Sequence, residues 1–141
     1  GVLDWEMATL GDPLMDLGSA LAYWVEETDH HIFKSTRRQP TNLKGMFTRK
    51  EVVKYYLDKT GLHTDNWTFY EVFGIFRLAV IAQQIYYRYY HKQTNNPAFK
   101  DFWIVIHALH IRALKLIGKQ KFEANEIAQK YISKLQEILA K

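Results

Sequence analysis

Apolar residues recur at a helical period along most of this chain, and residues that cap helices mark the breaks between the runs. From Pro13 to about Thr28, the positions Leu14, Leu17, Leu21, Trp24 and Val25 fall three or four apart, the spacing that gathers side chains on one helix face. Asp12 is a good N-cap and Pro13 a good first residue, since its missing N–H is not needed there. Residues 29–47 lose the period. Asp29-His30-His31, Lys34 to Pro40 and Asn42 to Gly45 read as a polar loop, longer than most connections and of the kind that often carries function. Thr48 and Glu51 then open a helix as a capping box, with Val52, Val53, Tyr56 and Leu57 as its apolar stripe. Gly61 closes it in the left-handed conformation that glycine tolerates.

The longest pattern follows, from about Trp67 to Lys92. Phe69, Val72, Phe73, Phe76, Val80, Ile81 and Ile85 supply one face, and Leu78, Ala79 and Ala82 widen it until the middle is apolar nearly all round, as in a central, buried helix. Gly74 inside it costs about 1 kcal/mol against Ala, so a close packing contact is expected there. Asn96 and Pro97 restart the chain, and Phe102 to Ile117 forms another apolar helix ended by Gly118. A last helix, about Glu123 to Leu139, carries Ile127, Tyr131, Leu135, Ile138 and Leu139 on one face. At the other end, Gly1 to Asp4 reads as a short strand with Val2 and Leu3 inward. The expectation is a mainly α single domain over residues 1–141, about five helices with a strand remnant at its amino-terminal edge.

Composition narrows this picture without redirecting it. With 141 residues, 48% hydrophobic and 15% aromatic, the chain can bury one core and is not of disordered composition. It has no cysteine, which excludes a disulfide framework or thiolate metal site and fits a cytoplasmic location. No apolar run reaches membrane-spanning length and no signal peptide is visible, so no membrane partner is expected. A net charge of +4 does not by itself imply nucleic acid. Tyr86-Tyr87-Arg88-Tyr89-Tyr90-His91 offers stacking rings, but on a helix alternate tyrosines face core and solvent, and no nucleic-acid partner is expected. His107 and His110 stand three apart with no third ligand in evidence, and read as a partly buried helix face.

The chemistry concentrates in the first eighteen residues, where Asp4-Trp5-Glu6 is followed by Gly11-Asp12-Pro13 and Asp16-Leu17. A carboxylate at the end of a buried strand places a hard oxygen ligand at the mouth of a cleft, which suits Mg²⁺ and the phosphates it carries. In letters the pattern is I/V-x-D-W/F-E followed by G-D-P-x-x-D-L. It resembles the metal-binding segment of the aminoglycoside phosphotransferase and choline kinase family, which has the protein-kinase-like fold. Phe76-Arg77-Leu78-Ala79, Gln83 and Arg88 further resemble a branch whose kinase-like domain occurs alone or fused to acyl-CoA dehydrogenases. The resemblance implies the helical C-terminal part of a kinase-like C-lobe, with ATP and Mg²⁺ as cofactors. It also implies that Asp4 ligates the metal and Glu6 assists a second one, while Asp12 and Asp16 tie the following helix to the catalytic loop. In that family the catalytic loop H-G-D-x-x-x-x-N, the glycine-rich phosphate loop and its lysine all precede the metal Asp. None is in this chain, so a C-terminal fragment is expected, inactive alone and able to self-associate through Val2, Leu3 and Trp5.

Charge bears on the acceptor. Arg77 sits in an otherwise apolar helix, where a charge needs a partner or a cleft; a buried ion pair and a substrate contact are both open. Lys34, Arg37, Arg38, Lys44, Arg49, Lys50 and Lys54 concentrate positive charge, either as a solvated face or against an anionic substrate. Glu26, Glu27 and Asp29 are the tight acidic group, and they adjoin that basic stretch. Aminoglycosides are polycations and need clustered carboxylates. The balance points instead to a small hydroxylated molecule, neutral or anionic, and the resembled branch implies a hydroxyacyl-CoA. An aminoglycoside kinase and a non-catalytic helical interaction module are the alternatives.

Overall fold

The computed structural model describes residues 10–118. These form five α-helices: α1 (Pro13–Ala22), α2 (His31–Thr36), α3 (Arg49–Thr60), α4 (Trp67–Tyr90) and α5 (Phe102–Ile117), with a 3₁₀ turn at Pro97–Phe99 before the last. The mainly α class read from the sequence is observed, and no strand occurs among the described residues. The strand expected at Gly1–Asp4 and the last helix expected at Glu123–Leu139 lie outside them.

The caps stand where the sequence places them. Asp12 accepts the Leu14 N–H at 2.9 Å with Pro13 as the first helical residue. Thr48 and Glu51 form the reciprocal capping box of α3, and Gly61 ends it at φ 71°. Gly118 ends α5 at φ 72°. Asn66, which the sequence pattern did not single out, caps α4.

Two boundaries depart from the expectation. The first helix stops at Ala22 instead of near Thr28. Beyond it, the buried Thr41 hydroxyl takes both polar groups of Val25, accepting its N–H at 3.0 Å and donating to its carbonyl at 2.9 Å. Trp24 Nε1 donates to the Phe47 carbonyl at 2.8 Å. These tertiary bonds satisfy the backbone better than another helical turn would. The second departure is α2, a six-residue helix inside the stretch expected to be a polar loop. It packs Phe33 beside the core.

Three helices make the core. Ala22 of α1, Ile75 of α4 and Leu109 of α5 are buried together, with Leu78, Ala79, Val105, Ala113 and Leu116 packed around them. α4 lies between α1 and α5, but it is not the buried helix that its nearly all-round apolar middle suggested, since Phe69, Phe76 and Val80, expected on its packed face, are exposed. Where α1 and α4 cross, Gly18 meets Tyr70 and Gly74 meets Gly18, so closely that a methyl group on either glycine would run into the other helix's backbone. The close packing expected at Gly74 is there. No helix among the described residues is long and apolar enough to cross a membrane.

Candidate functional site

Asp4 and Glu6 lie outside the described residues. The described part of the same motif begins with Asp12, and its carboxylate does two jobs. One oxygen caps α1, and the other accepts the Tyr70 hydroxyl at 2.7 Å. That bond raises the Tyr70 pKa above the usual phenol value, so the ring keeps the proton it donates. Asp12 therefore fixes where α1 starts relative to α4. Asp16 stands exposed in the first turn of α1, where a carboxylate is favoured by the helix dipole.

One turn beyond the glycine crossing, Arg77 reaches from α4 to α1. Its Nη1 donates to Ser19 Oγ at 3.3 Å, and that hydroxyl donates to the Met15 carbonyl at 2.8 Å. Of the two readings the sequence left open for Arg77, a buried ion pair and a substrate contact, the first is not what is found, because Arg77 is exposed. It lies at the edge of the apolar face, and a single long bond to a hydroxyl leaves most of its guanidinium donors turned to solvent. Asp12–Tyr70 and Ser19–Arg77 thus form one polar seam along the α1–α4 contact, starting at the motif end of α1.

A second constellation was not legible as such. Arg49, at the start of α3, grips Asp29 with two hydrogen bonds at 2.7 and 2.8 Å and donates to the Trp24 carbonyl at 2.8 Å. Its own backbone N–H donates to Glu26 at 2.6 Å. Burial would raise the Asp29 pKa, but the bonds from Arg49 and from the Glu26 N–H outweigh it and hold the carboxyl below its ordinary value. Burial likewise opposes the Arg49 charge, and the hydrogen bonds and attraction of Asp29, with Glu26 adding to them, overcome it. Nearby, Arg112 of α5 pairs with Glu71 of α4 at 3.4 Å and lies over the Phe33 ring. Lys34 pairs with Glu27. The acidic group Glu26, Glu27 and Asp29 is therefore engaged with cations of its own chain.

A cleft of about 510 Å³ opens beside these pairs, lined by Glu26, Glu27, Asn42, Lys44, Met46 and Phe47 among others. The expected seven-residue basic stretch does not act as one surface there. Arg49 is consumed by Asp29, Lys34 by Glu27 and Lys54 by Asp58 at 2.6 Å, while Arg37, Arg38, Lys44 and Lys50 are exposed. His107 is half-buried and His110 exposed on α5. Burial, then the neighbouring His110, lowers the His107 pKa. Among the described residues no group of three or more His, Cys, Asp or Glu is assembled that could hold a metal ion.

Comparison with known proteins bears on residues the geometry does not reach. Residues 1–51 match the phosphotransferase enzyme family. Acyl-CoA dehydrogenase family member 10 of Mus musculus is 40% identical over 89 residues, which is 62% of this chain and 8% of that protein. Family member 11 of Rattus norvegicus is 35% identical over 91 residues, 62% of this chain and 11% of the relative. Its Homo sapiens counterpart is 33% identical over 91 residues, with the same coverage. The chain thus spans about a tenth of the length of these relatives. No solved structure matches. As its opening motif suggests, this chain is related to the phosphotransferase enzyme family, matched over residues 1–51, and to acyl-CoA dehydrogenase family members 10 and 11.

Proposed function

We propose that the protein carrying this sequence is an ATP- and Mg²⁺-dependent phosphotransferase, transferring a phosphoryl group to the hydroxyl of a small metabolite in the cytoplasm. The observation that carries the reading is the family match over residues 1–51, which contains the whole Asp4-Trp5-Glu6, Gly11-Asp12-Pro13, Asp16-Leu17 pattern. Asp4 and Glu6 offer hard carboxylate oxygens, the donor chemistry Mg²⁺ prefers. Bound there, the metal would neutralise charge on the β- and γ-phosphates. The chain's own described contribution is positional. Asp12 sets the start of α1 through its cap and its bond to Tyr70, and so sets where the segment bearing Asp4 enters. Asp16 lies one turn further on, in the shell around that entry. Arg77, with unspent donors on the same seam, is the residue assigned to the acceptor.

For the acceptor class, two observations favour a neutral or anionic molecule over a polycationic antibiotic. The acidic group Glu26, Glu27 and Asp29 is already paired with Arg49 and Lys34, which leaves a polycation little to bind. The relatives are named for acyl-CoA dehydrogenases, which supports an acyl-CoA-like alcohol such as a hydroxyacyl-CoA.

The test is Mg²⁺-dependent ATP binding by the protein in its full-length setting. Asp4→Ala is expected to abolish the Mg²⁺-dependent part, while Arg77→Ala leaves ATP binding intact and weakens the acceptor. ATP binding that ignores Asp4→Ala would remove the metal assignment. Efficient phosphorylation of kanamycin-like amines, with none of hydroxyacyl thioesters, would overturn the acceptor class.

A further inference from the structure

The loop that enters α3 turns apolar side chains toward water although its backbone is firmly held. The Met46 N–H donates to the Leu43 carbonyl at 3.1 Å, closing a tight turn. Its third residue, Gly45, has φ 90°, a conformation that such a position leaves to glycine. On one side of the turn the buried Thr41 is bonded to both polar groups of Val25. On the other, the Phe47 carbonyl accepts Trp24 Nε1 at 2.8 Å, and Thr48 caps α3. The turn is thus pinned at both ends, and Leu43, Met46 and Phe47 are 58%, 43% and 51% exposed. The Phe47 ring meets Tyr55 of α3 at 6.0 Å between centroids. Tyr55 is itself 54% exposed, so the patch runs from the turn onto α3. Cations frame it. Lys44, exposed, stands within the turn between Leu43 and Met46, and Lys59 Nζ lies 5.6 Å from the centre of the Tyr55 ring. From Arg37 to Lys59 the chain holds seven Lys and Arg against two acids, Glu51 and Asp58. Both acids are engaged: Glu51 accepts the Thr48 N–H at 2.7 Å, and Asp58 accepts Lys54 Nζ at 2.6 Å. In the neighbouring cleft, Glu26 and Glu27 are paired with Arg49 and Lys34.

We propose that this patch docks the protein on the surface of an anionic membrane, with Leu43, Met46, Phe47 and Tyr55 entering the boundary between headgroups and acyl chains and with Lys44 and Lys59 meeting lipid phosphates. Apolar exposure alone does not choose an occupant; the charge around it does. A bilayer of acidic lipids offers an apolar layer beneath a negative surface, which is the complement of apolar residues framed by lysines whose neighbouring acids are already engaged. Lysine can lay its stem along apolar surface while its ammonium stays at headgroup level, and tyrosine is enriched at that depth. Each cation brought close to such a surface strengthens binding about fivefold. A second copy meeting this patch with its own would instead set like charges face to face. The expectation from sequence that no membrane partner exists rested on the lack of an apolar run of spanning length. Four residues shared between a turn and a helix make no such run, so surface attachment leaves no trace in that pattern.

The test is co-sedimentation of the full chain with vesicles of phosphatidylcholine alone or with roughly one-third phosphatidylserine. Binding to the acidic vesicles is expected to be about tenfold or more tighter than to the neutral ones. Lys44→Glu with Lys59→Glu should weaken it by about tenfold or more, and so should Leu43→Ser with Met46→Ser. Phe76→Ser with Val80→Ser, at exposed apolar positions of α4, should leave it unchanged. The absence of cysteine allows a second measurement in an otherwise native chain. An environment-sensitive dye on Met46→Cys should shift its emission to the blue with acidic vesicles, while the same dye on Gln83→Cys, exposed on α4, should not. The proposal is overturned by failure to sediment with acidic vesicles, by equal binding to neutral ones, or by binding that survives both pairs of substitutions in the patch. Retention on immobilised polyglutamate without vesicle binding overturns it too, and gives the patch to an acidic protein instead.

Discussion

At the scale of single residues, the most consequential side chain is Arg49. It ties the start of α3 to Asp29, Glu26 and the Trp24 carbonyl at once, and both charged partners of the main pair are largely buried, with side-chain exposures of 18% and 12%. A pair in this setting adds little compared with a well-packed apolar one, but removing one member strands the other in a poorly solvated site. Arg49→Ala is therefore expected to cost about 3 kcal/mol, at the lower end of the range for breaking buried pairs because some solvent reaches this one. Arg49→Lys keeps the charge but not the planar fork, and should recover less than half of the loss. Urea titration of the three proteins checks both. A cost within experimental error for Arg49→Ala would show that the pair is screened as a surface bridge is. No local pattern announced this contact. Asp29 and Arg49 are twenty positions apart on either side of a stretch without periodicity, so the sequence offered only an acidic group beside a basic one. The same limit applies to Arg77, for which the apolar letters around it left a buried ion pair open although the side chain is exposed.

At the scale of elements, the α1–α4 crossing decides the geometry of the described site. Asp12–Tyr70 and Ser19–Arg77 meet across it because Gly18 and Gly74 let the backbones approach. Gly74→Ala sets two effects against each other. Helix propensity favours Ala by about 1 kcal/mol, but the added methyl would strike the Gly18 carbonyl, a backbone atom that no rotamer change can move. The clash should win. The variant is expected to lose about 1–3 kcal/mol net and, by spreading the helices, to weaken the Tyr70–Asp12 bond. Spectrophotometric titration of Tyr70 should then show its pKa falling back toward 10.0. A stabilised Gly74→Ala protein would mean that α1 and α4 do not cross this closely. Elements with local signals were legible beforehand. Asp12-Pro13, the Thr48–Glu51 box, Gly61 and Gly118 marked four helix ends through chemistry confined to one turn. What was missed depends on distant partners: α1 ends early because Thr41 takes the N–H and carbonyl of Val25, and α2 is too short to show a stripe.

At the scale of the whole molecule, the described chain is held together in two different ways. α1, α4 and α5 share the buried cluster of Ala22, Ile75 and Leu109, whereas α3 contributes nothing to that cluster and is held at its amino end by Arg49 and its carboxylate partners. Acid should separate the two. The Asp29 carboxyl is held below its ordinary 3.8 in the folded chain, so its contribution to stability is fully present above the unfolded value and is lost as pH falls through the lower, folded one. His107 on α5 acts in a higher window. Burial, with His110 beside it, lowers its pKa from 6.5, so the packing that keeps it neutral contributes fully above 6.5 and is lost as pH falls through its folded value. Acidification from pH 7 to about 5 should therefore tax α5 first and leave the α3 attachment intact. Below about pH 3.8 the attachment should loosen, and protection of the Val53 amide against hydrogen exchange, corrected for the intrinsic rate, should fall relative to that of Ile75 by roughly tenfold or more. In Asp29→Asn the Val53 protection should be low already at neutral pH and change little below 3.8. If Val53 and Ile75 lose protection together at every pH, α3 is part of the same cooperative unit as the core, and the division between a packed core and a charge-held arm is wrong.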